Sequence, residues 1–122
     1  MAERDENLLE FAASSFSSVW ALEMLLLLKR DRRAWPESEL VRALRASELV
    51  VSKACASLLA AGLVSLDEAG ATYQPLNDDI AKRIDQVEAL YSARPNAVRR
   101  AIIAAGTGGA TAFAEAFRLR KD

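Results

Sequence analysis

The side chains with chemical reach in this sequence are cations and carboxylates. The types that usually carry catalysis or hold metals are scarce. No histidine occurs in the 122 residues, which removes the commonest general base and the commonest transition-metal ligand. Cys55 is the only cysteine, so no disulfide forms within the chain and no zinc site of the usual kind can be completed. Its spacing puts it on a helical stripe with Val51, Ala54 and Leu58, where a thiol acts as a small apolar group and not as a nucleophile. Gly106-Thr107-Gly108-Gly109 lacks the Lys-Ser/Thr pair that follows in a phosphate-binding loop, and it reads as a connector. Asp78 and Asp79 are adjacent, but neighbours on a helix point apart. No catalytic constellation emerges. The expectation is a protein that is not an enzyme and takes no cofactor or metal.

Charge is more informative in its distribution than in its sum. The formal net charge is −1. Residues 1–28 set Arg4 against five carboxylates, and residues 64–79 carry only Asp67, Glu68, Asp78 and Asp79. Residues 29–63 hold seven basic and four acidic residues, and residues 80–122 hold eight and four. A dedicated nucleic-acid binder is usually basic overall or on one face, so any such role here falls to local patches. The first ten residues are acidic and polar, unlike a secretory leader. The longest apolar run, Met24–Leu28, is far shorter than the roughly 20 residues that span a bilayer. The expectation is a cytoplasmic protein without a membrane segment.

These groups must be positioned by helices. The chain is 52% hydrophobic and 27% charged with few aromatics, and its abundance of Ala and Leu favours helix. One domain fits the length. The pattern predicts a short helix over Glu6–Ala13 and a second over Ser18–Lys29, with Val19, Leu22, Leu25 and Leu26 inward. Lys29, Arg30, Arg32 and Arg33 suit the negative end of that helix dipole. Pro36 is read as the first residue of a third helix, carrying Leu40, Val41 and Leu44 and ending near Ala46. Ser47 is the next N-cap. A fourth helix then runs to about Ala61 and stops at Gly62, a good residue beyond a helix C-terminus. The period changes at Leu63–Leu66, a strand, followed by a turn at Asp67–Gly70 and a second strand at Ala71–Gln74. Asn77 or Asp78 caps a helix through about Tyr91, with Ile80, Ile84, Val87 and Leu90 or Tyr91 inward. A further helix starts at Pro95 or Asn96 with Val98, Ile102 and Ile103, and a last one covers Thr111–Leu119 with Phe113 and Phe117 four apart.

The order helix, helix, tight turn, helix, hairpin over residues 18–76 resembles the winged helix-turn-helix regulators of the multiple-antibiotic-resistance (MarR-like) type. The segment from Glu39 to Pro75 carries the likeness, above all the Leu-x-x-x-Gly-Leu-Val phrase of Leu58–Val64. The fold class so implied is mostly α with a small β-hairpin wing, plus extra N- and C-terminal helices. The resemblance further implies a DNA-binding transcriptional regulator whose helix from Ser47 enters a major groove. Ser47, Glu48, Ser52, Lys53 and Ser57 then face double-stranded DNA, with Leu49 and Ala56 beside them. Arg42 and Arg45, and also Arg30, Arg32 and Arg33, are placed to meet phosphates. Lys53 is the one residue of the usual base-reading types. The wing departs from the family, because Asp67-Glu68 stands where Arg or Lys is common and a carboxylate beside a phosphate is repelled.

A second reading follows from that departure. An acidic wing, a nearly uncharged recognition helix and apolar Leu49, Val50 and Leu59, which cannot all be core, suit a winged helix that binds a protein partner through its recognition-helix face. A continuous positive face across Arg42, Arg45 and Lys53 favours DNA, and an apolar patch there favours a protein. A homodimer is expected as well, because Leu8, Leu9 and Phe11 at one end and Phe113, Phe117 and Leu119 at the other exceed what a three-helix core covers.

Overall fold

The computed structural model describes residues 2–105. It contains α1 (Ala2–Ser15), α2 (Val19–Arg30), α3 (Glu37–Leu44), α4 (Glu48–Ala60), β1 (Val64–Asp67), β2 (Gly70–Tyr73) and α5 (Asp78–Ala93), followed by α6 over residues 95–105. The protein is thus mostly helical with one small antiparallel sheet. The helix expected at Thr111–Leu119, with Phe113 and Phe117, lies outside the described residues.

α2 is the centre of the packing. The Ser18 side chain caps it by accepting from the Ala21 N–H at 3.1 Å, and Lys29 and Arg30 occupy its last turn, where the dipole is negative. Ala21, Leu22, Met24, Leu25, Leu26 and Leu28 are all buried, more of the circumference than the four inward residues expected. A helix apolar nearly all round must be surrounded, and α2 packs against α3, α4 and β2. The C-terminal end of α2 is tied to α5 by charge. Lys29 Nζ lies 2.6 Å from Glu88 and 3.2 Å from Asp85, and Arg30 lies 3.4 Å from Glu88. The hydrogen bond to Glu88 raises the Lys29 pKa above its ordinary value.

α1 starts earlier and ends later than the expected Glu6–Ala13. It packs on α5, burying Leu8 and Ala12, and Asp5 pairs with Arg94 at 3.2 Å. Leu9 and Phe11 are partly buried against the same core. Of the apolar residues that suggested a homodimer, Leu8 is buried within the chain and Leu9 and Phe11 partly so, and Phe113, Phe117 and Leu119 lie outside the described residues. On α5 both Leu90 and Tyr91 face inward with Ile84 and Val87. On α6 Val98 and Ile102 are buried, but Ile103, expected inward, is exposed.

Three local corrections concern the hairpin and its approach. Pro36 is the N-cap of α3 and not its first helical residue, with φ −61° and ψ 150°. The extended ψ follows from Trp35, which exchanges two backbone hydrogen bonds with Ala71, at 2.8 and 2.9 Å, and holds the chain straight until α3 begins. The strands are each displaced by one residue from the expected spans, pairing Val64 with Tyr73 and Asp67 with Gly70. Leu63 is displaced from β1 because its N–H closes the end of α4. Only Glu68 and Ala69 remain as the loop, and Asp67 Oδ1 accepts from the Ala69 and Gly70 N–H groups at 2.8 and 3.2 Å.

Among the described residues, no single helix is long and apolar enough to cross a membrane.

Candidate nucleic-acid interface

The candidate surface is built by α3, the turn after it, α4 and the hairpin. The turn is made at a cost. Arg45 takes φ 55° and ψ 42°, the left-handed region that disfavours L side chains other than Asn and Asp. In return the Arg45 and Ala46 N–H groups both reach the Val41 carbonyl, satisfying an acceptor that the end of α3 would leave free. Two residues later Ser47 caps α4, its hydroxyl oxygen accepting from the Val50 N–H at 3.1 Å.

The other end of α4 explains the Leu-x-x-x-Gly-Leu phrase. The Gly62 N–H donates to the Leu59 carbonyl and the Leu63 N–H to the Leu58 carbonyl, both at 3.0 Å, with Gly62 at φ 78°. This is a Schellman closure, which wants glycine at the left-handed position and apolar contact between the residues flanking it. Leu58 and Leu63 are those residues, and both are buried. Val51, Ala54, Cys55 and Leu58 face the core as expected. With both ends pinned and one side buried, the outward side of α4 is fixed.

That outward side carries Glu48, Leu49, Ser52, Lys53, Ala56, Leu59 and Ala60, all exposed, while Ser57 and Val50 are half-buried. The surface divides along its length. Toward the N-terminal half lie Arg42, Arg45 and Lys53, which are exposed and make no ion pair or side-chain hydrogen bond among the described residues. The basic residues at the end of α2 are placed differently. Arg30 pairs with Glu88. Arg32 donates to the Lys29 carbonyl at 3.0 Å and lies 4.8 Å from the Tyr73 ring centre. Arg33 pairs with Glu39 at 2.7 Å and sits 3.8 Å over the Trp35 ring. Those three hold α2 to α5, the hairpin and α3.

The side of α4 from Ser52 to Leu59 borders a cleft of about 450 Å³ between α3, α4 and the hairpin. Trp35, Leu40, Ala56, Leu59 and Leu66 form its apolar lining, and Glu37, Asp67 and Glu68 supply its charge. No Lys or Arg among the described residues lines it. Leu59 and Leu66 are 47% and 43% exposed, and Leu49 at the other end of α4 is 63% exposed. Cys55 reaches the cleft floor. Burial, and then the Glu37 carboxylate, push its thiol pKa up, and it lies 3.6 Å from the Met24 sulfur. Among the described residues no group of three His, Cys, Asp or Glu side chains could hold a metal ion.

Sequence reasoning missed Trp35, Glu37 and Leu66 as parts of this surface. A signal for the first was available, because a residue before proline is biased toward extended backbone, and Trp35-Pro36 leads into the sheet contact.

Comparison of the chain with protein-family models, curated proteins and solved structures returned no match.

Proposed function

We infer that the chain is a winged helix DNA-binding regulator that meets the duplex through the N-terminal half of α4. Support for the winged helix comes from the order α2, a bridge residue at Trp35, α3, α4, β1 and β2. The carrying observation for DNA is that Arg42 and Arg45 beside the α3–α4 turn, and Lys53 on α4, stand exposed with no ion pair or side-chain hydrogen bond among the described residues, while the cations at the end of α2 are engaged internally. Unpaired cations beside the positive end of a helix suit phosphate. Ser47, Glu48 and Ser52 then lie nearest the base edges. Asp67 and Glu68 keep the hairpin tip off the backbone, so contact is made by helix and turn and not by the wing.

Fluorescence anisotropy on labelled genomic fragments between 50 and 200 mM salt tests this. With a slope of about −0.9 per phosphate, the two contacts of Arg42 and Arg45 give an affinity loss of about 12-fold over that range, and Arg42→Ala with Arg45→Ala removes nearly all of it. Lys53→Ala is expected to alter sequence preference more than salt slope. No measurable binding by the wild-type chain at 50 mM salt rejects the regulator and favours an interaction module without DNA, for which the apolar cleft is the specific support.

A further inference from the structure

We propose that the cleft between α4 and the hairpin is a docking site for a basic amphipathic helix of a partner protein, separate from the cations around the α3–α4 turn. The occupant's chemistry is set by the walls. The floor and sides are apolar at Trp35, Leu40, Ala56, Leu59 and Leu66, and the rim carries Glu37, Asp67 and Glu68, with no cation lining it among the described residues. Asp67 is partly committed to its turn through two backbone hydrogen bonds. Glu37 and Glu68 have no ion-pair partner among the described residues. A duplex is repelled by this rim, and an acidic peptide is as well. A helix with apolar residues at i, i+3, i+4 and i+7 and Lys or Arg at its flanks meets both features at once. The exposure of Leu59 and Leu66, side chains that solvent does not favour, is what such a helix would cover.

An exposed thiol makes the site measurable: Ala56 lines the cleft and is exposed, while Cys55 is buried, so the reporter is Ala56→Cys with Cys55→Ala. The probe is a synthetic helix peptide with leucine at i, i+3, i+4 and i+7 and lysine at the flanking positions, titrated against the full chain. Binding in the tens-of-micromolar range and a roughly 10-fold slowing of labelling at that reporter thiol are expected. Leu59→Asp and Leu66→Asp are each expected to weaken binding by at least about 10-fold while the chain stays folded by circular dichroism, since both side chains are about half exposed. Glu37→Gln with Glu68→Gln is expected to weaken binding and remove its salt dependence. The Arg42→Ala, Arg45→Ala variant is expected to bind the peptide normally, so this result stands or falls apart from DNA binding. Equal affinity for a glutamate version of the peptide, or unslowed labelling at saturation, overturns the proposal. So does either alternative occupant. A dimer that Leu59→Asp dissociates assigns the cleft to a second copy. Labelling already blocked in the free chain, and released by Phe113→Ala with Phe117→Ala, assigns it to the chain's own C-terminal segment.

Discussion

Gly70 is the residue on which the approach to the interface turns, and Gly70→Ala is the sharpest test of that geometry. Its φ is 129°, and an added Cβ would sit 2.2 Å from the Trp35 carbonyl oxygen and 2.6 Å from the Pro36 nitrogen. Those atoms are backbone, so no side-chain rotation relieves the clash. The substitution must therefore pull Trp35 away from Ala71 and break the hydrogen bonds at 2.8 and 2.9 Å between them. Backbone strain of about 1–3 kcal/mol and two lost bonds of about 0.5–1.5 kcal/mol each give a loss of about 2–6 kcal/mol, against a total of about 5–15 kcal/mol for a small domain. Gly62→Ala is the control. Gly62 also has positive φ, at 78°, but its added Cβ meets only the Leu76 side chain at ordinary contact distance, 3.5 Å. It should cost about 1–2 kcal/mol, the left-handed penalty alone. Urea unfolding followed by tryptophan fluorescence measures both. Equal midpoints for the two variants would show that the close approach of Trp35 is not what requires glycine at 70.

Arg45→Gly is expected to raise stability by about 0.5–1 kcal/mol by relieving the left-handed backbone at that turn, while weakening DNA binding; a lower urea midpoint contradicts it. Asp67→Lys is expected to cost about 1–2 kcal/mol, because the carboxylate accepts two turn N–H groups that lose their partner. Glu68→Lys should leave the midpoint unchanged and strengthen DNA binding at low salt, and equal destabilisation by the two would refute the separate roles. The pH dependence of stability should be confined to the alkaline side among the shifted groups. Lys29 is raised by its hydrogen bond to Glu88, Tyr91 by burial and its bond to Glu23, and Cys55 by burial. A raised folded pKa adds stability that is complete below the ordinary value and is lost as pH rises through the raised one. The melting temperature should therefore fall as pH climbs past the ordinary values of 9.0, 10.0 and 10.5, and Tyr91→Phe should shallow that fall.

The parts of the fold that were legible are those with local causes. The end of α4 could be read because a Schellman closure needs Leu58, Gly62 and Leu63 at fixed offsets. The Ser47 cap could be read because its side chain bonds three residues ahead; the α5 cap, open between Asn77 and Asp78, is Asn77, and Ser18, taken as the start of the second helix, is its cap. The strand boundaries slipped by one residue because Leu63 satisfies both a strand pattern and a helix closure, and the hydrogen bond to Leu58 decided between them. Pro36 was misplaced because its fixed φ suits either the cap or the first helical turn. Only the bridge between Trp35 and Ala71, residues distant in sequence, makes it the cap.

The candidate site was legible as a list of residues and illegible as a division of labour. Arg30, Arg32, Arg33, Arg42, Arg45 and Lys53 are equivalent cations in the sequence, and each could meet a phosphate. What separates them is pairing across the fold. Glu88, which holds Lys29 from 59 positions away and also pairs with Arg30, sits on a helix whose docking no periodicity reveals. The two readings of α4 looked like rivals for the same reason, since a helix seen alone has one outward face. In three dimensions that face borders the α3–α4 turn at one end and the hairpin at the other. The first neighbour contributes Arg42 and Arg45, unpaired among the described residues, and the second contributes Leu66 and carboxylates. α4 thus sets Lys53 near the cations that precede it and Leu59 beside Leu66 and the hairpin carboxylates, so its few outward side chains take their chemical setting from different neighbours along its length.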